Sequence, residues 1–161
     1  MSSKPDLRQT ILRGPFTYTA RPDPVSGDLR MSWGIAVLLL ALFFSRAKKS
    51  TFQKLQFLAH AVRLPEGREE VRGLLSGDYK PSEVSVRIEP SLNRAVAMAH
   101  ALKVVKLERG VSVSLTSTGE QVAAAIVEDH ETLLEEVAFL REVAPKMTNA
   151  LMKRVWRLDY L

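Results

Sequence analysis

The feature that most constrains the fold is an unbroken apolar run of twelve residues at positions 33–44, WGIAVLLLALFF. A helix that spans a membrane needs about 20 apolar residues, so this run predicts a helix buried in a protein core. Since the run is apolar on every side, we expect the helix at the centre of that core. Ser32 is a favourable N-cap, and Met31 ahead of it suits a hydrophobic staple.

Several function classes are excluded by what the sequence lacks. It has no cysteine, which excludes disulfides, thiolate catalysis and cysteine-ligated zinc, and fits a reducing cytoplasm. Its three histidines, His60, His100 and His130, are too far apart for a local metal site. A Gly-rich phosphate loop, a G-x-S-x-G elbow and an H-E-x-x-H motif are absent. We therefore expect a cytoplasmic protein that is not an enzyme, has no cofactor and makes no membrane contact.

The clearest local signal is a β-hairpin over residues 104–115. Two β-prone segments are joined there by Glu108-Arg109-Gly110, a three-residue loop with glycine where a left-handed conformation is needed. A helix from Pro90 to about Leu102 precedes the hairpin, and a capping box at residues 117–120 follows it. Helix, hairpin and capped helix in this order indicate a winged helix-turn-helix.

Three further elements are predicted before the hairpin. Residues 50–53 (STFQ) form a capping box that opens a helix, and Pro65 begins a short helix that ends near Leu75. Residues 84–88 alternate apolar and polar side chains, which predicts a half-buried strand.

After the hairpin, the pattern predicts one long helix and a terminal one. Apolar side chains repeat at steps of three and four over residues 123–144, which predicts a coiled-coil-like seam on the helix opened by residues 117–120. Pro145 interrupts the seam and begins a last helix to about Leu158.

These signals divide the chain into three predicted parts. Residues 1–30 hold four of the eight prolines and show no apolar period, which is typical of an extended or disordered arm. Residues 31–128 form the winged-helix domain, and residues 129–161 form a C-terminal helical docking extension. The predicted fold class is therefore α+β, mainly α with a small β-hairpin: a winged helix-turn-helix core, two C-terminal helices and an extended N-terminal arm.

Basic side chains suggest contact with nucleic acid. The formal net charge is +5, and in winged-helix proteins the second helix of the turn motif enters the major groove. The helix from Pro90 is rich in alanine and poor in side chains that read base edges, so we expect weak, non-specific contact with double-stranded DNA. The predicted DNA-binding residues are the basic residues after the apolar run and around the hairpin: Arg46, Lys48, Lys49, Lys54, Arg94, Lys103, Lys106 and Arg109.

The C-terminal helices suggest a protein partner. The last helix carries two apolar stripes, one more than packing on its own domain requires, and the second stripe contains aromatic side chains suited to an interface. The predicted partner-binding residues come from this second stripe and from the seam: Met152, Trp156, Tyr160, Leu133, Val137 and Leu140.

Three segments resemble the middle component of ABC-three-component systems. They are residues 31–58 (MSWGIAVLLLALFFSRAKKSTFQKLQFL), residues 87–96 (RIEPSLNRAV) and residues 115–120 (LTSTGE). Members of this family are small winged-helix proteins encoded between an SMC-like ATPase and an effector, as in Lamassu-type defence against phages and plasmids. The resemblance covers about residues 31–126. It implies a non-catalytic accessory subunit that bridges the SMC-like ATPase and its effector.

A second interpretation is a stand-alone winged-helix transcription regulator that dimerises through the seam. Such a regulator needs base-reading side chains on its recognition helix and a self-complementary dimer seam. Here the helix carries alanines, and residues 118–144 hold seven acidic side chains against one basic side chain, so two copies of the seam would repel each other. The accessory subunit is therefore the preferred interpretation.

Overall fold

The computed structural model describes residues 26–158, in which α-helices and one small antiparallel sheet form a mainly helical α+β fold. The helices are α1 (Gly27–Phe43), α2 (Phe52–Ala61), α3 (Pro65–Ser76), α4 (Pro90–Ala101), α5 (Ser117–Glu128), α6 (Leu134–Val143) and α7 (Asn149–Leu158). The strands are β1 (Lys49–Thr51), β2 (Val105–Glu108) and β3 (Ser112–Leu115), and 3-10 turns cover Arg46–Lys48 and Pro81–Glu83. Residues 1–25 of the predicted arm lie outside the described residues.

Helix α1 lies at the centre of the core, as its apolar run predicts. Each residue from 37 to 42 is at most 2% exposed. The helix contacts α2, α4, α5 and α6, so its apolar sides are covered in several directions. Burial on this scale is worth roughly 1.5–3 kcal/mol for each large aliphatic side chain.

The start of α1 differs from the prediction. The N-cap is Ser26, whose hydroxyl accepts a hydrogen bond from the Leu29 amide at 3.4 Å, whereas the sequence predicted Ser32. The added residues are 27–32, and directly after them the Trp33 indole Nε1 donates to Glu136 Oε1 on α6 at 3.1 Å. The helix therefore begins at Gly27, six residues or nearly two turns earlier than the N-cap signal at Ser32 predicted.

The sheet has the strand order β1-β3-β2, and both pairings are antiparallel. Strand β1 was not predicted: Ser50 pairs with Val113 of β3, and Thr51, rather than Ser50, caps α2 by accepting from the Lys54 amide at 3.3 Å. Three residues are too short to show an alternating pattern. These residues form a strand because they pair with β3, a contact that their own sequence does not indicate.

The hairpin prediction is confirmed, with its loop one residue later than expected. Val105 pairs with Leu115 and Glu108 with Ser112, and the Val111 amide donates to the Glu108 carbonyl at 3.1 Å. Arg109 and Gly110 connect them with φ of 51° and 67°, both in the left-handed region. The hairpin contacts α4 through β2, also as predicted.

Gly110→Val is expected to lower the free energy of unfolding by about 1–2 kcal/mol, because a β-branched residue resists positive φ. No atom lies within 4 Å of where the added Cβ would stand, so the loss would come from the backbone alone. Chemical denaturation measures it. Gly110→Asn is the matched control, since asparagine tolerates the left-handed region, and equal losses in both variants would contradict this explanation.

Residues 84–88 do not form the predicted strand. Side chains accept from the backbone in and next to this segment instead: the Ser85 amide donates to Glu70 Oε2 at 3.3 Å, and the amide of the following Glu89 donates to Gln56 Oε1 at 2.7 Å. Val84 is buried while Ile88 is 63% exposed, so the alternation of side chains does not correspond to alternating burial.

The predicted continuous helix over residues 117–144 is also wrong. Helix α5 ends at Glu128, and the Asp129 carboxylate accepts from the Glu131 amide at 2.9 Å and from the Thr132 hydroxyl at 2.6 Å. These bonds hold a turn that separates α5 from α6, and Leu133 has φ of 53° at its end. The heptad-like spacing therefore spans two helices rather than one seam.

The boundary predicted at residue 128 falls between α5 and α6, yet the apolar core is continuous across it. Phe139, Val143 and Val155 belong to the same buried cluster as α1. Helix α7 begins at Asn149 rather than at Pro145, and the Thr148 hydroxyl accepts from the Leu151 amide at 3.1 Å. Residues 134–158 thus complete the core that α1 begins.

Candidate functional site

The outer face of α4 carries exposed apolar side chains. Leu92, Ala95, Val96 and Ala99 face the core. Ala97, Met98 and Ala101, together with Leu102 at the C-cap, are exposed, and we call these four residues the α4 ridge. Met98 is 47% exposed and Leu102 is 58% exposed.

Positions 97, 98, 101 and 102 are one and four residues apart, so they form one continuous strip along the helix. Where a DNA-reading helix presents hydrogen-bond donors and acceptors, the α4 ridge presents aliphatic and thioether groups. The alanines of α4 are visible in the sequence, but the ridge is not predicted from it, because periodicity alone does not show which apolar residues stay uncovered.

Four predicted DNA-binding residues, Arg94, Lys103, Lys106 and Arg109, lie on or next to α4 and the hairpin and are all exposed. None of the four makes an ion pair with another residue of the range 26–158. Their charges are therefore available to a polyanion.

Two of the other predicted basic residues, Lys48 and Lys49, pair with neighbouring carboxylates. Lys49 of β1 pairs with Glu108 of β2, and this hydrogen bond, together with one from the Ser114 hydroxyl, lowers the pKa of Glu108. The Lys48 ammonium lies 3.7 Å from Glu120 Oε2 and 3.7 Å from the centre of the Phe43 ring. Arg46 is exposed and has no ion pair with the described residues.

Lys54 is not a surface residue, which corrects its predicted role in DNA binding. The residue is 6% exposed, and its Nζ donates to the Ala144 carbonyl at the end of α6 at 2.6 Å. Burial lowers the pKa of Lys54 to about 8. A side chain enclosed in this way cannot contact a DNA backbone on the open surface.

The predicted partner-binding residues are mostly inside the chain's own core. Met152 is 1% exposed, Leu140 is 0% exposed and Val137 is 7% exposed, so their prediction as surface contacts is wrong. They are buried because α6 and α7 pack on α1 to α3 with both apolar stripes, rather than with one. Leu133 and Trp156 are half-buried against the same core, and Tyr160 lies outside the described residues.

A polar network fixes α4 against α2. Gln56 Nε2 donates to Asn93 Oδ1 at 3.1 Å, and Glu89 pairs with Arg63 at 3.2 Å and with His60 at 3.1 Å. The Arg63 guanidinium also lies 5.3 Å from the centre of the Trp33 ring. Asn93 is therefore engaged within the fold, which leaves α4 with one fewer side chain to read bases.

Comparisons with models of known protein families, with curated proteins and with solved structures found no match. Among the helices of residues 26–158, none combines the length and the apolarity that crossing a membrane requires. Within the same range, no group of three or more His, Asp and Glu side chains is placed to hold a metal ion. Two surface features therefore bear on function: the α4 ridge and the unpaired cations beside it.

Proposed function

We propose that this protein is a non-catalytic winged-helix accessory subunit that bridges an SMC-like ATPase and its effector in a bacterial defence complex, and that it contacts double-stranded DNA weakly and without sequence preference. The observation that carries the proposal is the exposed apolar α4 ridge. It lies where a sequence-reading winged helix needs polar side chains.

The arrangement of elements supports the winged-helix part of the proposal. The expected order of that fold is a helix, a short strand, two helices and a two-stranded wing. In its sheet, the first strand lies next to the last. Here α1, β1, α2, α4, β2 and β3 follow this order, and the sheet order is β1-β3-β2. One departure is the insertion of α3 between α2 and α4, where a helix-turn-helix has a turn of three or four residues.

The α4 ridge supports a protein partner over a DNA sequence. Met98 and Leu102 expose apolar surface that gains free energy when another apolar surface covers it, roughly 25 cal/mol for each Å² removed from water. Leu102 has no hydrogen-bonding side-chain group, and Met98 has only a weakly accepting sulfur, so neither can read a base edge as an amide or a guanidinium does. A binding site for an ATPase or an effector subunit uses such residues as anchors, surrounded by a polar rim.

The unpaired cations support a weak DNA contact. Arg94, Lys103, Lys106 and Arg109 can each release counterions from a DNA backbone, a contribution that does not depend on sequence and that weakens with salt. The dimeric regulator loses support, since Val137 and Leu140 of its seam are buried within one chain.

The double variant Met98→Glu/Leu102→Glu is expected to weaken binding to the SMC-like ATPase or to the effector about 30-fold or more. This factor corresponds to about 2 kcal/mol, the usual threshold for a central interface residue. Because both side chains are already exposed, the thermal unfolding midpoint should move little. Co-purification of the full chain with each partner and calorimetric titration of the complex measure the effect.

The matched control is Leu134→Glu, which adds a charge at a site on α6 that is 53% exposed and outside the α4 ridge. The control should bind both partners normally. If the double variant binds both partners as the wild type does, the ridge is not the docking surface. A tight preference of the wild-type chain for one palindromic DNA sequence would instead support the transcription regulator.

A further inference from the structure

A cavity of ≈ 440 Å³ lies between β1, the start of α2 and the start of α7. Its walls include the basic residues Arg46, Lys49 and Lys54 and the hydroxyl-bearing residues Ser50, Ser112 and Thr148. None of the residues that line it is acidic. Since Lys49 pairs with Glu108, the unpaired cations of this lining are Arg46 and Lys54. A second cleft is lined by Glu89 and Glu136 as well as by Arg63.

Ser50 gives the first sign that the cavity binds a ligand. The residue lines the cavity and is 5% exposed, and its hydroxyl is buried with no hydrogen-bond partner among the described residues. Buried hydroxyls in folded proteins are nearly always paired, since an unpaired one retains the cost of leaving water. A ligand oxygen would accept this hydrogen bond.

Lys54 gives the second sign, and it is independent of the first. Its ammonium is enclosed beside the cavity and donates one hydrogen bond, to the Ala144 carbonyl at 2.6 Å, although it carries three donors. No carboxylate of the described residues pairs with it. A buried cation normally has an anionic partner, and the low pKa of about 8 reflects the cost of burial without one.

The rest of the cavity is suited to an anion as well. Arg46 is exposed beside Lys49 and has no ion pair with the described residues, so its guanidinium can reach a bound group from the solvent side. Helix α7 begins at Asn149 in the cavity wall, and the positive end of its dipole favours negative charge there.

We propose that this cavity binds a phosphate group, with Lys54 and Ser50 as its inner ligands and Arg46 at its entrance. A terminal phosphate is the form that fits, because Ser50 and Lys54 are enclosed and an internal phosphodiester of a duplex is flanked by sugars on both sides. The terminal phosphate can belong to a small phosphorylated molecule or to the 5′ end of a nucleic acid strand. The proposal needs no protein partner, so it is independent of the proposed accessory role.

The test is a calorimetric titration of the full chain with inorganic phosphate at neutral pH. The wild type is expected to bind it saturably. Lys54→Met and Ser50→Ala should each weaken binding at least tenfold, since each removes one inner ligand. Methionine is close to lysine in length and needs no hydrogen bond, and alanine leaves strand pairing unchanged, so both variants are expected to fold, which thermal unfolding checks.

The control is Lys80→Met, which removes the same charge from an exposed position outside the cavity wall and should leave binding unchanged. An equal loss in Lys80→Met, or no saturable binding by the wild type, overturns the proposal, as does unchanged binding by folded Lys54→Met and Ser50→Ala. A 5′-phosphorylated oligonucleotide and the same strand with a 5′-hydroxyl then distinguish the sources. Tighter binding of the phosphorylated strand than of inorganic phosphate or a mononucleotide identifies a nucleic acid end, and the reverse order identifies a small molecule.

Discussion

Phe139→Ala is expected to lower the free energy of unfolding by about 3–5 kcal/mol, the usual cost of removing a fully buried aromatic ring. Phe139 is 0% exposed in α6 and belongs to the same buried cluster as α1. Its ring also lies 5.7 Å from the Arg72 guanidinium on α3, a contact that the variant would lose. Urea denaturation followed by tryptophan fluorescence and by circular dichroism measures the loss.

The same experiment tests whether residues 129–161 are a separable extension. Because the core is continuous across residue 128, we expect a single transition in which both probes change together. Leu134→Ala is the control on the same helix, 53% exposed, and should cost less than about 0.5 kcal/mol. Two separate transitions would show that α6 and α7 fold as an independent unit, and equal small losses in both variants would show that the Phe139 ring does not stabilise the core.

Gly119→Ala is expected to destabilise the fold by about 2–3 kcal/mol, an overpacking effect that reaches the backbone. A Cβ at position 119 would lie 1.9 Å from the Val104 carbonyl oxygen, which also accepts the Thr116 amide at 3.1 Å. The clash cannot be relieved by a side-chain rotation, so the start of α5 would have to move away from the start of the hairpin. Thermal and urea unfolding measure the change.

Gly34→Ala is its control and should change stability in the opposite direction. A Cβ at position 34 of α1 meets the Ala95 Cβ at an ordinary contact distance of 3.5 Å. Alanine within a helix is more favourable than glycine by about 0.5–1 kcal/mol, so this variant is expected to be more stable than the wild type. If both variants lose stability equally, the close approach at Gly119 does not account for its effect.

The features predicted correctly from the sequence are those that a local pattern determines. The run at 33–44 has no polar side, so it could only be a central helix, and Gly110 marks a turn that needs positive φ. Pro65 and Pro90 each stand at the first position of a helix, where a missing amide costs nothing.

The features predicted wrongly depend on distant contacts. Residues 84–88 have a strand-like pattern, but Glu70 and Gln56 provide hydrogen-bond acceptors for this segment that no local pattern contains. Helix α1 extends six residues ahead of its predicted start, and Trp33 beside these residues donates a hydrogen bond to Glu136 on α6. In each case a partner far away in sequence decides the local structure.

The candidate surfaces could be predicted only in part. Arg94, Lys103, Lys106 and Arg109 are charged and exposed, as expected of basic residues in short or polar segments. Burial reversed the expectation at two other positions: Lys54 is enclosed among the apolar residues of α2, and Met152 faces the core although its stripe was predicted to face outwards. When a short helix is apolar on two sides, its sequence does not show which side remains open.

The bond between Trp33 and Glu136 joins residues that are 103 positions apart, and it has a consequence for synthesis of the chain. Helix α1 leaves the ribosome before α6 and α7, which complete its core. At translation rates of about 5–20 residues per second, an interval of roughly 5–20 s passes in which the apolar α1 has no complete cover. We therefore expect the nascent chain to bind chaperones until α7 has emerged, and a chain truncated at Glu128 to aggregate rather than to accumulate as a folded fragment.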